Sequence, residues 1–151
     1  MKAGVLKHKS GAGFTIMELV IVIGIFAVVL AFGLPIGLDS YRNYLLTSEQ
    51  RNLVSILRRA ENLSLANNGG LPHGVALGEG QYVLYQGSSY AVRNQAFDEN
   101  YPRVSSVAVS STPEINFLNL SAMPSVTGTI VLSNGLRSLT ITVNDQGAIL
   151  W

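Results

Sequence analysis

The stretch Gly13–Leu38 reads GFTIMELVIVIGIFAVVLAFGLPIGL, and from Leu19 onward its twenty residues carry no charged side chain. At a helical rise of about 1.5 Å per residue, twenty residues reach about 30 Å, the thickness of a bilayer's hydrocarbon core. The run predicts a membrane-spanning helix. Lys2, Lys7 and Lys9 precede Gly13 with no acid among them. A positive flank stays cytoplasmic, so the N-terminus is expected inside and everything beyond Leu38 outside. Glu18 is the odd residue, a carboxylate at the start of an apolar helix, where it asks either for solvent at headgroup level or for a partner. Pro35 removes one backbone donor, and Gly33 and Gly37 lower helical propensity beside it, so a bend or a melted segment is expected there.

Gly13-Phe14-Thr15-Ile16, then Glu18, then Leu19-Val20-Ile21-Val22-Ile23 resembles the class III signal of type IV prepilins and pseudopilins. In that family a membrane protease, the prepilin peptidase, cuts after the glycine and methylates the new N-terminal amine. The resemblance implies cleavage between Gly13 and Phe14, a leader over residues 1–13 and an N-methylated Phe14. It implies that Glu18 serves subunit assembly by pairing with the amine of a neighbouring subunit, two costly charges offsetting each other's desolvation. It also implies a helix kink at Pro35, where the family has a proline. A cleavable secretory signal fits less well, because the run is too long and offers only Ala31-Phe32-Gly33 as a cleavage site. A lipoprotein needs a cysteine, and there is none. An uncleaved anchor would explain the span but not Gly13, Glu18 and Pro35 together.

Beyond Leu38 remain 113 residues, enough for one modest core. Without cysteine no disulfide can staple that core. Many major pilins close a loop near the C-terminus with a disulfide, so its absence points toward a minor pilin or a pseudopilin. All three lysines lie in the leader, which leaves seven arginines against nine acids after Gly13. Such a surface does not attract nucleic acid at long range, and Arg137, Arg103 and Arg93 form no basic cluster in sequence.

Residues 39–68 carry apolar side chains at Tyr41, Tyr44, Leu45, Leu53, Ile56, Leu57, Ala60 and Leu63, mostly three and four apart, with Arg42, Glu49, Arg51, Arg58, Arg59 and Glu61 between them. This spacing predicts an amphipathic helix closed by Asn67-Asn68-Gly69-Gly70. From residue 69 to 151 the period becomes two. Strands are expected over 73–77, 81–86, 89–93, 103–110, 114–118, 127–132, 138–143 and 148–151, with hairpins at Asn134-Gly135 and Asn144–Gly147 and a polar loop over 94–102. The fold class is therefore α+β: a long N-terminal helix, transmembrane over 14–38 and amphipathic over 39–68, packed on an antiparallel β-sheet head, pilin-like. The stretch TGTIVLSNGLRSLTITVNDQGAI from Thr127 is similar to the closing strands of the GspH/FimT minor pseudopilins.

No catalytic constellation is legible. His73, between Pro72 and Gly74, is expected at the surface and has no nucleophile motif to serve. Asp98-Glu99-Asn100 lacks calcium-loop spacing and is expected to be solvated charge. No cofactor and no metal are expected. The sequons Asn62-Leu63-Ser64 and Asn119-Leu120-Ser121 are taken as chance.

These readings converge on a non-enzymatic structural subunit, a minor pseudopilin of a type II secretion pseudopilus. It would lie in the inner membrane as a single-pass protein before joining a periplasmic or surface filament. Its partners would be other pilin or pseudopilin subunits, the prepilin peptidase and the inner-membrane assembly platform. The same-class alternative is a minor or major type IV pilin in adhesion, twitching or DNA uptake. The alternative of another class is an uncleaved, anchored enzyme or binding domain.

Overall fold

The computed structural model describes residues 13–151 except Ala122, and for residues 34–36 the backbone alone. The lysines before Gly13 lie outside the described residues. The first element is one long helix, α1 (Ile16–Leu65), followed by strands β1 (His73–Leu77), β2 (Gln81–Gln86), β3 (Glu99–Pro102), β4 (Ala108–Ser110), β5 (Glu114–Phe117), β6 (Gly128–Ser133), β7 (Ser138–Val143) and β8 (Ile149–Leu150). The chain divides into two compact units, one ending at Asp39 and the other spanning Ser40–Trp151.

In the first unit every described side chain from Ile16 to Leu38 is exposed. Its best 18-residue window has a mean hydropathy of 2.9 and no buried residue, so by length and composition this helix can cross a membrane. Helical backbone continues through Gly33, Pro35 and Gly37, so the segment is not melted. A single proline withdraws one donor and leaves the hydrogen bonds on either side in place.

In the second unit α1 buries Leu46, Leu53, Val54, Ile56, Leu57 and Ala60. The stripe expected from spacing is right from Leu53 onward and wrong before it. Tyr41 and Tyr44 are exposed at 60% and 69%, whereas Leu46 and the polar Glu49 and Gln50 turn inward. The helical face drifts between Tyr44 and Leu53, and sequence spacing alone does not say which neighbours win it. Asn67 closes the helix in the left-handed region at φ 50°, and Gly69 and Gly70 follow at 64° and 69°. This is the stop that the Asn-Asn-Gly-Gly run predicts.

The head holds two antiparallel sheets, ordered β3-β2-β1-β5 and β4-β6-β7-β8. Both feed one core around α1. Val75, Tyr82, Leu84, Ile115 and Phe117 come from the first sheet, and Ile130, Leu132, Ile141 and Val143 from the second. Each large apolar side chain fully buried there contributes about 1.5–3 kcal/mol. Strand β2 is buried on both faces, because Val83 and Tyr85 point away from α1 into a smaller cluster with Ala76 and Tyr90.

That second cluster explains two departures from the expected strands. Residues 89–93 do not form a strand, and Tyr90–Val92 make a 3-10 turn instead. The Tyr90 ring meets Tyr85 edge to face at 5.7 Å, the Arg93 guanidinium lies 3.7 Å from the Tyr90 ring centroid, and the Glu114 carboxylate accepts the Tyr90 N–H at 2.7 Å. Side-chain anchoring wins over β propensity here. In the stretch expected to be a loop, Glu99–Pro102 form β3 on the edge of β2. Of the expected strand 103–110 only Ala108–Ser110 pair, after a turn in which Val107 N–H donates to Val104. The two predicted hairpins are present. Asn134 Oδ1 accepts from Leu136 and Arg137 N–H, and Asn144 Oδ1 accepts from Gln146 and Ala148 N–H, each turn closing near a glycine at positive φ.

Candidate functional site

The residues singled out by sequence lie at the start of α1. Phe14 and Ile16 are both 83% exposed. Thr15 Oγ1 accepts the Glu18 N–H at 3.2 Å, and Leu19 N–H donates to the Thr15 carbonyl at 3.1 Å. Thr15 is thus the N-cap, and Thr15-x-x-Glu18 has the spacing of a capping box. The sequence carries that signal in the spacing Thr15-x-x-Glu18. Glu18 is also the acidic residue of the first turn, where the helix dipole favours negative charge. A Cβ built on Gly13 meets nothing within 4 Å. Nothing within the described structure therefore demands a glycine there by crowding. The backbone of Pro35 is helical, and its side chain lies outside the described residues.

His73 is a correction. It is not a surface residue but is 5% exposed at the start of β1. Burial lowers its pKa below the ordinary histidine value. The buried Ser64 hydroxyl lies beside it, but Ser64 Oγ accepts from the His73 backbone N–H at 2.9 Å and donates to the Phe117 carbonyl at 3.0 Å. The hydroxyl thus ties α1 to β1 and β5 and does not engage the imidazole.

The acidic group is a second correction. Asp98 pairs with Arg93 at 2.8 Å, and Glu99 pairs with Arg59 at 2.8 Å while accepting the Tyr101 hydroxyl at 2.6 Å. The Arg59 and Tyr101 bonds hold the Glu99 pKa below the usual carboxylate value. These acids fasten the Asn94–Pro102 segment and are not freely solvated charge. Among the described residues no group of three His, Cys, Asp or Glu side chains converges as a metal site would.

Sequence reasoning missed a buried polar trio. Glu49 Oε1, Tyr82 Oη and Arg103 Nε are each buried without a hydrogen-bond partner. Burial, then the neighbouring Glu49 carboxylate, raises the Tyr82 pKa, and the Arg103 charge opposes them. It also missed a groove on the outward face of α1, about 710 Å³, lined by Arg51, Ser55, Arg58, Asn62 and Trp151 among others. The Arg58 guanidinium lies 6.0 Å from the Trp151 ring centroid.

Comparison of the chain with family models, with curated proteins and with solved structures gave no match.

Proposed function

We propose that this chain is a prepilin-like filament subunit, a minor pseudopilin of a type II secretion pseudopilus. The observation that carries the reading is the arrangement at the start of α1. Gly13-Phe14 lies two residues before the Thr15-capped helix, Glu18 is in its first turn, and the apolar helix that follows buries none of its described side chains. A helix of this kind needs lipid or other helices around it. A glycine that the local structure does not crowd fits a residue held for a processing enzyme, and the absence of cysteine favours a pseudopilin over a disulfide-closed major pilin.

In this reading the leader stays cytoplasmic and the prepilin peptidase breaks the Gly13–Phe14 bond. The amine of Phe14 is methylated, and the assembly platform of the inner membrane moves the subunit into the filament. The Glu18 carboxylate then pairs with the Phe14 amine of a neighbour, while Leu19–Leu38 pack into a dry core. The work is packing, not catalysis.

The test is the N-terminal residue and intact mass of the protein purified from cells with and without the prepilin peptidase, repeated with Gly13→Val. A chain beginning at methylated Phe14, seen only with the peptidase and lost in the variant, supports the reading. A chain beginning at Met1 in both strains sinks it.

A further inference from the structure

Three large side chains with apolar bodies are exposed at the end of the head where Ser40 enters it. Tyr41 and Tyr44 are 60% and 69% exposed in the first turns of α1 after Ser40, and Leu136 is 54% exposed at the tip of the β6–β7 hairpin. The two tyrosines are three residues apart and so are neighbours on one helix face. The hairpin reaches their level because two hydrogen bonds lay it along α1. Gln50 Nε2 donates to the Thr140 carbonyl at 3.3 Å, and nearer the start of the head Asn134 Nδ2 donates to Asn43 Oδ1 at 3.1 Å. Followed back from Thr140, β7 therefore runs toward Ser40, and the turn that carries Leu136 is pinned beside the residue before Tyr44.

A single exposed leucine or tyrosine needs no explanation, but three brought together from two elements do. Their place in the chain says what covers them. The apolar run that can cross a membrane ends at Leu38, and Tyr41, Asn43 and Tyr44 follow it by three, five and six residues, about 4.5–9 Å along a helix. The headgroup layer on each side of the hydrocarbon core is about 5–8 Å deep. Side chains on a helix lean toward its N-terminus, which directs both tyrosine rings back toward that layer. Tyrosine suits it, with an apolar ring for the lipid and a hydroxyl for water. The same placement accounts for the break in the apolar stripe of α1, where Tyr41 and Tyr44 stay outside the core and Leu46 enters it.

We propose that Tyr41, Tyr44 and Leu136 form a lipid-contact surface, by which the head rests on the headgroup layer of the membrane that its own helix spans. The tyrosine rings lie among the headgroups, and Leu136 enters the layer from the hairpin tip as a second point of support. The Asn43–Asn134 hydrogen bond keeps the two supports at one level. Support from two elements fixes which face the head turns to the bilayer, and one helix alone does not. The contact rests on the membrane span and not on cleavage at Gly13, so it stands whether or not the filament reading does. In a filament subunit, leaving the bilayer breaks it.

The cysteine-free chain accepts a single spin label at a chosen exposed position. Full-length Arg137→Cys is labelled beside the hairpin tip, and full-length Gln146→Cys in the turn at the other end of β7; both positions are exposed. Each is reconstituted in phosphatidylcholine vesicles with lipid in large excess. Electron paramagnetic resonance then reads the label's accessibility to oxygen, which concentrates in lipid, and to a water-soluble nickel chelate. The label at 137 should be about three-fold less accessible to nickel than the label at 146, and more accessible to oxygen. Adding Tyr41→Ser, Tyr44→Ser and Leu136→Ser alters only exposed side chains, so the unfolding midpoint should stay near the parent's while the label at 137 becomes as open to nickel as the label at 146. Equal accessibility of the two labels in the parent overturns the proposal, as does shielding that survives the triple substitution. Shielding at 137 that fades on dilution into more lipid also overturns it, because a second copy of the chain then covers the surface in place of lipid.

Discussion

Replacing Ser64 with alanine tests a buried polar contact that joins α1 to β1 and β5. Ser64 is fully buried, and its hydroxyl accepts the His73 N–H at 2.9 Å and donates to the Phe117 carbonyl at 3.0 Å. Alanine fits the space but strands a buried N–H and removes one donor from a buried carbonyl. An unsatisfied buried group costs about 1–3 kcal/mol, and part of this is offset because the hydroxyl itself no longer has to be desolvated, so a loss of about 2–3 kcal/mol is expected. Against a total of about 5–15 kcal/mol that is a large fraction. At about 4–8 °C per kcal/mol for a domain near this size, the midpoint should fall by about 8–24 °C. The assay is guanidinium and thermal unfolding of the full chain in detergent, followed by near-ultraviolet circular dichroism. All six tyrosines lie beyond residue 40, so this signal reports the head and not the membrane helix. A change under about 0.5 kcal/mol with an unaltered denaturant slope would refute the argument, because that is the range of a surface substitution.

Gly74→Ala should destabilise the head by about 1–3 kcal/mol, since a Cβ there would overlap the Tyr85 hydroxyl end and reach 2.9 Å from Asn116 Nδ2; the same unfolding assay checks it. Acid should weaken the head over two pH ranges. The pKa values of His73 and Glu99 are both lowered in the fold, so as pH falls the unfolded chain takes up each proton first, and stability present above the unfolded value is lost below it. The first loss should begin near pH 6.5 and the second near pH 4.5, and His73→Gln should abolish only the first in a midpoint-versus-pH series. The triple variant Glu49→Leu, Tyr82→Phe and Arg103→Met should be as stable as the parent or up to about 1–4 kcal/mol more so, because it removes the buried polar trio as a whole and leaves no charge behind; a lower midpoint would show that the trio is satisfied in solution.

What could be read from sequence followed the physics that dominates each segment. The apolar run from Leu19 was legible from its length and lack of charge, and the strands 73–77, 81–86 and 138–143 from short apolar and β-branched runs bounded by turn residues. Ser89–Arg93 was not, because its conformation is set by Tyr85 and Glu114 from other strands. Glu49 and His73 were misplaced for a related reason. A polar residue gives no sequence sign of being buried, and what encloses it arrives from tens of residues away. At the helix start the Thr15 cap went unread although the spacing Thr15-x-x-Glu18 was in view. The groove of Arg51, Arg58 and Trp151 could not be read at all, since Trp151 comes beside the middle of α1 only through the path of β7 and β8.

The Thr15 cap also determines what severing the chain after Gly13 would do to the helix. The oxygen that completes the first turn belongs to a residue on the C-terminal side of that bond. The cap oxygen therefore stays with the helix when the bond is severed. A new amine at Phe14 would place a positive charge beside the positive end of the helix dipole, an unfavourable position that a carboxylate brought within reach would relieve. The severed chain would thus carry at its end an electrostatic need that its own cap does not fill.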